Sequence, residues 1–111
     1  MHMVQKMTKQ SKVRSLLEQK NLTEDQLAFL LAVYKTIRRK SNPVLHHMFC
    51  DEIAMSMSNS DQKFDKGDVC EMVGELQEKP HKFVATNGRT DCAGFRATDY
   101  FVDWLKENGV M

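Results

Sequence analysis

Residues 65–88 read Asp-Lys-Gly-Asp-Val-Cys-Glu-Met-Val-Gly-Glu-Leu-Gln-Glu-Lys-Pro-His-Lys-Phe-Val-Ala-Thr-Asn-Gly. In the first half, Val69, Met72, Val73 and Leu76 fall at i, i+3, i+4 and i+7, the spacing of one buried helix face. Asp65 stands where a capping residue belongs, Asp68 follows three positions on, and Pro80 stops the helix, which is expected over about residues 66–78. The period then changes. Phe83-Val84-Ala85-Thr86 is strand-like and Asn87-Gly88 signals a turn. A second strand through Ala93-Gly94-Phe95-Arg96-Ala97 completes a hairpin across about residues 82–97, joined by a loop longer than two residues.

Working outward, Thr23-Glu24-Asp25-Gln26 is a capping box that opens a strong helix, with Leu27, Leu30, Leu31, Tyr34 and Ile37 at helical spacing. Phe29 and Val33 widen its apolar surface, so it belongs at the centre of the core. Asn42-Pro43 restarts the chain, and Leu45, Met48, Phe49, Ile53 and Met57 predict one helix running to about residue 57. A short helix is expected over residues 8–20, with Val13, Leu16 and Leu17 on one side. After the hairpin, Thr98 caps a last helix with Tyr100, Phe101, Trp104 and Leu105 on its apolar side, ended by Asn108-Gly109. The expected core is Leu30, Tyr34, Phe49, Ile53, Val69, Met72, Val73, Leu76 and Trp104.

The fold class is therefore mostly α with a small β-hairpin. At 111 residues, with 41% hydrophobic and 28% charged, the chain suits one domain, divided into a basic arm over 1–22 and a folded unit over 23–111. Five glycines and two prolines exclude collagen-like and linker-like chains. No apolar run is long enough for a transmembrane helix, and Met1-His2-Met3 lacks the apolar stretch of a secretory leader, so no membrane partner is expected. Three cysteines, Cys50, Cys70 and Cys92, are an odd count with no Cys-x-x-Cys, which points to thiols in a reducing cytoplasm.

Charge is unevenly placed. Residues 1–22 carry Lys6, Lys9, Lys12, Arg14 and Lys20 against Glu18, a net of +4. Residues 51–78 carry two basic and eight acidic side chains, a net of −6. A second cationic group, Lys35, Arg38, Arg39 and Lys40, ends the central helix, where it complements the negative end of the dipole. Such asymmetry fits opposite faces with different tasks or contact between two copies, as well as an ordinary solvated surface.

From Thr23 onward, over about residues 23–108, the order of elements resembles the winged-helix variant of the helix-turn-helix, here with an added N-terminal helix and a C-terminal helix. Glu52-Ile53-Ala54 resembles the segment often found in the helix before a recognition helix. Val69-x-x-Met72-Val73-x-x-Leu76, followed by Lys79 and Phe83, resembles the recognition helix running into the first wing strand. Phe95-Arg96-Ala97-Thr98 resembles the returning strand and the start of the next helix. The resemblance implies a transcriptional regulator or accessory factor that binds duplex DNA, with the helix at 66–78 in a major groove and Arg89 at the wing tip on a phosphate. The charge on that helix departs from the pattern: it exposes Asp68, Glu71, Glu75 and Glu78, with only Lys66 and Lys79 as cations near its ends. Affinity for DNA rests on neutralised phosphates, which four carboxylates oppose. Two readings follow. Either DNA is held by Lys6, Lys9, Lys12, Arg14, Lys35, Arg38, Arg39, Lys40, Lys66 and Arg89, or the acidic helix is a protein-binding face, with a homodimer compatible with both.

No phosphate loop, His-Glu-x-x-His or nucleophile elbow is present, so catalysis is not expected. On a continuous helix His46 and Cys50 would face one metal ion, with His47 and Asp51 nearby, but that set falls short of four ligands, and the expectation is polar residues on a helix surface with Cys50 half-buried. Asp99 and Asp103 read as the solvated side of the last helix, and Cys70 and Cys92 as small filler residues or exposed thiols. Neither a metal nor an organic cofactor is expected.

Overall fold

The computed structural model describes residues 8–78, 80–86 and 94–111. Lys6, Lys79, Arg89 and Cys92 thus lie outside the described residues, as do the wing tip and residues 1–7 of the basic arm. Five helices are present among the described residues: α1 (Lys9–Glu18), α2 (Glu24–Ile37), α3 (Cys50–Met57), α4 (Lys66–Gln77) and α5 (Asp99–Glu107). A 3₁₀ turn at Pro43–Leu45 leads into β1 (Met48–Phe49), and β2 (Val84–Thr86) and β3 (Gly94–Ala97) follow α4.

Each long helix starts where a side chain satisfies the backbone N–H groups that a first turn leaves over. The Ser11 N–H donates to Thr8 Oγ1 at 3.1 Å, and Thr23 and Gln26 exchange bonds of 3.1 and 3.0 Å in a complete capping box. Asp65 and Asp68 form a second box, at 2.9 Å both ways, so two carboxylates sit on the positive end of α4. Thr98 has two tasks. Its Oγ1 accepts from the Phe101 N–H at 3.2 Å and donates to the Lys82 carbonyl at 2.6 Å, fixing α5 to the base of the hairpin. Gly109, at φ +71°, closes α5 in the left-handed conformation that glycine adopts without penalty.

The hairpin is antiparallel, in the register Val84↔Ala97, Ala85↔Arg96 and Thr86↔Phe95. β1 joins its other side with Met48 opposite Phe95, giving a three-stranded sheet in the order β1-β3-β2. Phe95 and Ala97 are buried and Arg96 is exposed, so one face of β3 lies on the core.

This sheet corrects the helix expected over residues 42–57. After the 3₁₀ turn the chain extends, pairs with β3, and turns helical only at Cys50. Leu45, Met48 and Phe49 mimic a helical stripe, but pairing with β3 buries Met48 and leaves its neighbour Phe49 48% exposed, because successive strand residues face opposite sides. Phe49 is thus not a core residue. Trp104 is also displaced from the expected core. It is half-buried, stacks on Phe101 at 6.0 Å and carries the Lys20 ammonium over its ring at 5.3 Å. Tyr100, 53% exposed, sits at the same rim and stacks on Phe83.

The remaining expected core is buried: Leu30, Tyr34, Ile53, Val69, Met72, Val73 and Leu76. α2 runs through its middle with eight buried residues, Leu27 to Ile37, and α1 covers it with Val13 and Leu17, both fully buried. Phe29 packs on Phe95 at 5.5 Å, joining α2 to the sheet. Phe83 meets Phe101 at 5.1 Å, its N–H donates to the Leu76 carbonyl at 2.9 Å, and its own carbonyl accepts from Thr98 at 3.1 Å. α4, hairpin and α5 therefore converge on one residue.

Candidate charged interfaces

The outward face of α4 is anionic. Asp68, Glu71, Glu75 and Glu78 are all exposed, and the first three line a cleft of about 400 Å³ together with Asp25 from the first turn of α2. Lys63 is the cation on its wall, against those four carboxylates, and Met72 and Phe64 supply its apolar surface. The cleft is braced by polar bonds. Gln26 donates to Glu75 Oε1 and Gln62 to Asp25 Oδ1, each at 3.2 Å. The preceding loop is fixed as well: Ser58 Oγ accepts from the Phe64 N–H at 2.8 Å, and Asn59 Oδ1 accepts from Asp61 and Gln62, both at 2.8 Å. Glu78, just beyond α4, stands apart from this cleft.

The opposite end of α2 is cationic. Lys9 from α1 and Arg38 and Arg39 from the end of α2 line a second cleft of about 220 Å³ with Tyr34, Val110 and Met111. The chain end is held there by the buried Tyr34 hydroxyl, which donates to the Val110 carbonyl at 2.7 Å. Lys12 reaches the same end, its Nζ 3.7 Å from the place a Gly109 side chain would begin. Lys40 lines a separate small cleft with Ser41, Leu45 and His46, and Lys35 is exposed one turn back along α2.

Of the ten cations expected to serve DNA, the structure thus brings Lys9, Arg38 and Arg39 into one cleft, with Lys12 at its edge. Two others stand elsewhere. Arg14 is engaged by Glu18 at 3.2 Å and Glu24 at 3.7 Å. Lys66 opens α4 close to Cys50, whose thiol is pushed above its ordinary value by burial and drawn partly back by that ammonium.

A third groove, of about 480 Å³, runs between the 3₁₀ turn, β3 and α5. Asp99 and Asp103 line it with Arg96 and Lys106, so both signs of charge flank the exposed Leu45. Sequence reasoning missed Asp25, Arg96 and Lys106 as members of these surfaces. Asp25 read only as part of the capping box of its own helix, and its place beside α4 depends on the 58–65 loop, whose Gln62 it accepts from. The alternation Phe95-Arg96-Ala97 did carry the signal that Arg96 faces out.

His46 follows a 3₁₀ turn and Cys50 begins α3, so they are not a helical i, i+4 pair, and Cys50 is fully buried rather than half-buried. No group of three or more potential metal ligands occurs among the described residues. Cys70 is disulfide-bonded, which corrects its expected role as a thiol or filler and removes the cysteine count as an argument for a reducing compartment. No described helix is long and apolar enough to cross a membrane. Comparison with protein-family models, with characterised proteins and with solved structures finds no match.

Proposed function

We propose that this chain is a winged-helix DNA-binding domain, acting as a regulator or accessory factor without catalysis, that holds duplex phosphates in the α1–α2 basic cleft. The observation that carries this reading is the convergence of Lys9, Arg38 and Arg39, from two helices, on one concave surface. Three cations in such a place attract a polyanion through Coulomb energy and counterion release, without reading bases. The order of two helices, hairpin and closing helix supports the winged-helix resemblance, with β1 extending the hairpin to three strands.

On this reading α4 does not enter the groove. Its exposed side carries carboxylates along its length, and the phosphate backbone repels it. Binding is then salt-sensitive with little sequence preference. Titration of a fluorescent random duplex at two salt concentrations tests it: affinity falls steeply as salt rises. Absence of salt-sensitive binding at low ionic strength overturns the reading.

A further inference from the structure

We propose that the acidic cleft of α4 is a docking surface for the basic α1–α2 cleft of a second copy, so that the chain associates with itself and covers its own DNA-contacting surface. The covering of DNA contacts rests on the function proposed above; the self-association does not.

The two clefts lie at opposite ends of α2. Thr23 and Asp25 line the acidic one, Arg38 and Arg39 the basic one. At 1.5 Å of rise per residue these ends are about 20 Å apart. Mobile ions screen exposed charges over ~8 Å at physiological ionic strength, so the two poles do not neutralise one another within one molecule. Helix-dipole compensation accounts for Glu24, Asp25 and Lys35 on α2 itself. It does not account for Glu71 and Glu75 from α4, or for Lys9 from α1, which enlarge the same two poles from other helices.

Each pole therefore presents net charge, four carboxylates against Lys63 at one and Lys9, Arg38 and Arg39 at the other, and the opposite charge is offered by every other copy. Met72 and Phe64 in the acidic cleft, and Val110 and Met111 in the basic one, add apolar area beside the charges. A second copy whose basic pole meets the acidic pole of the first gives a two-fold pair if both poles open on one side, and a head-to-tail series otherwise. Complementary charges of this kind speed encounter and fix register, and they weaken as salt is added.

The test is sedimentation of the full chain with two double variants. Glu71→Gln with Glu75→Gln removes acidic charge and leaves the Asp65–Asp68 capping box intact; Arg38→Ala with Arg39→Ala removes basic charge. All four positions are exposed, and circular dichroism checks that both variants keep their helices. Wild type is expected to associate at low salt, as a dimer or a longer series, and to become monomeric at high salt. Each variant alone is expected to be shifted towards monomer. An equimolar mixture regains a 1:1 complex, because one variant keeps the basic pole and the other the acidic pole. A monomeric wild type at low salt, or a mixture no more associated than its components, overturns the inference. If random duplex is not bound while the mixed pair forms, the DNA reading fails and the self-association stands. If both hold, duplex DNA competes with association and shifts wild type towards monomer.

Discussion

The Tyr34 hydroxyl donates to the Val110 carbonyl oxygen at 2.7 Å across 76 residues of sequence, in the buried interior. This bond fastens the last residues of the chain to the central helix and completes one wall of the basic cleft. Tyr34→Phe leaves that carbonyl without its donor and is expected to destabilise by about 1–2 kcal/mol. Thermal unfolding of the two proteins measures the loss. Unchanged stability would remove the bond from any account of how the cleft is built.

The basic cleft makes a separate claim on binding. Arg38→Ala and Arg39→Ala are each expected to weaken binding to every duplex sequence and to lower the salt slope by ~0.9 per lost phosphate contact. Lys66→Ala, at the far end of α4, is expected to leave both quantities unchanged. A Lys66 effect equal to that of Arg38 would relocate the DNA surface.

Leu76 is fully buried at the junction of α4 and the hairpin. Leu76→Ala leaves a cavity there and is expected to cost ~2–5 kcal/mol, read from a denaturant titration. A loss well below that range would mean that the junction collapses around the gap.

Gly74 gives the opposite sign. It lies within α4, and a Cβ added there meets nothing within 4 Å. Gly74→Ala gains helix propensity without a clash and is expected to stabilise by about 0.5–1 kcal/mol. A lower melting temperature for the variant would contradict the open space around that position.

Cys50 introduces a pH dependence. Burial pushes its thiol above the ordinary 9.0, with Asp51 adding to the shift and Lys66 opposing it. The folded state therefore keeps a proton that the unfolded chain loses near pH 9.0. The stability contribution is fully present below that pH and is lost as pH rises through the higher folded value. Wild type should thus lose more stability than Cys50→Ala between neutral and alkaline pH, and equal losses would refute the shift.

Much of the fold was legible because its signals are local. The Thr23 and Asp65 boxes, the Val69–Leu76 stripe and the Gly109 stop each lie within a few residues, and each appears where its pattern places it. The 42–57 segment was misread because its decisive partner, β3, lies more than forty residues away. A two-residue strand has no period of its own, and only pairing with Phe95 distinguishes Met48 in a sheet from Met48 on a helix. The acidic stripe was visible for the same local reason as the helix beneath it. The convergence of Lys9 with Arg38 and Arg39 was not, because it depends on how α1 folds back across α2.

Phe83 links the elements in a further way. Its amide is bonded to the last buried turn of α4, and its carbonyl to the cap of α5. Its ring lies against Tyr100, Phe101 and Trp104. The path from α4 to α5 therefore runs through two backbone hydrogen bonds made by one residue. The hairpin base, α4 and α5 are thus joined at a single aromatic residue, whose amide, carbonyl and ring each hold a different neighbour.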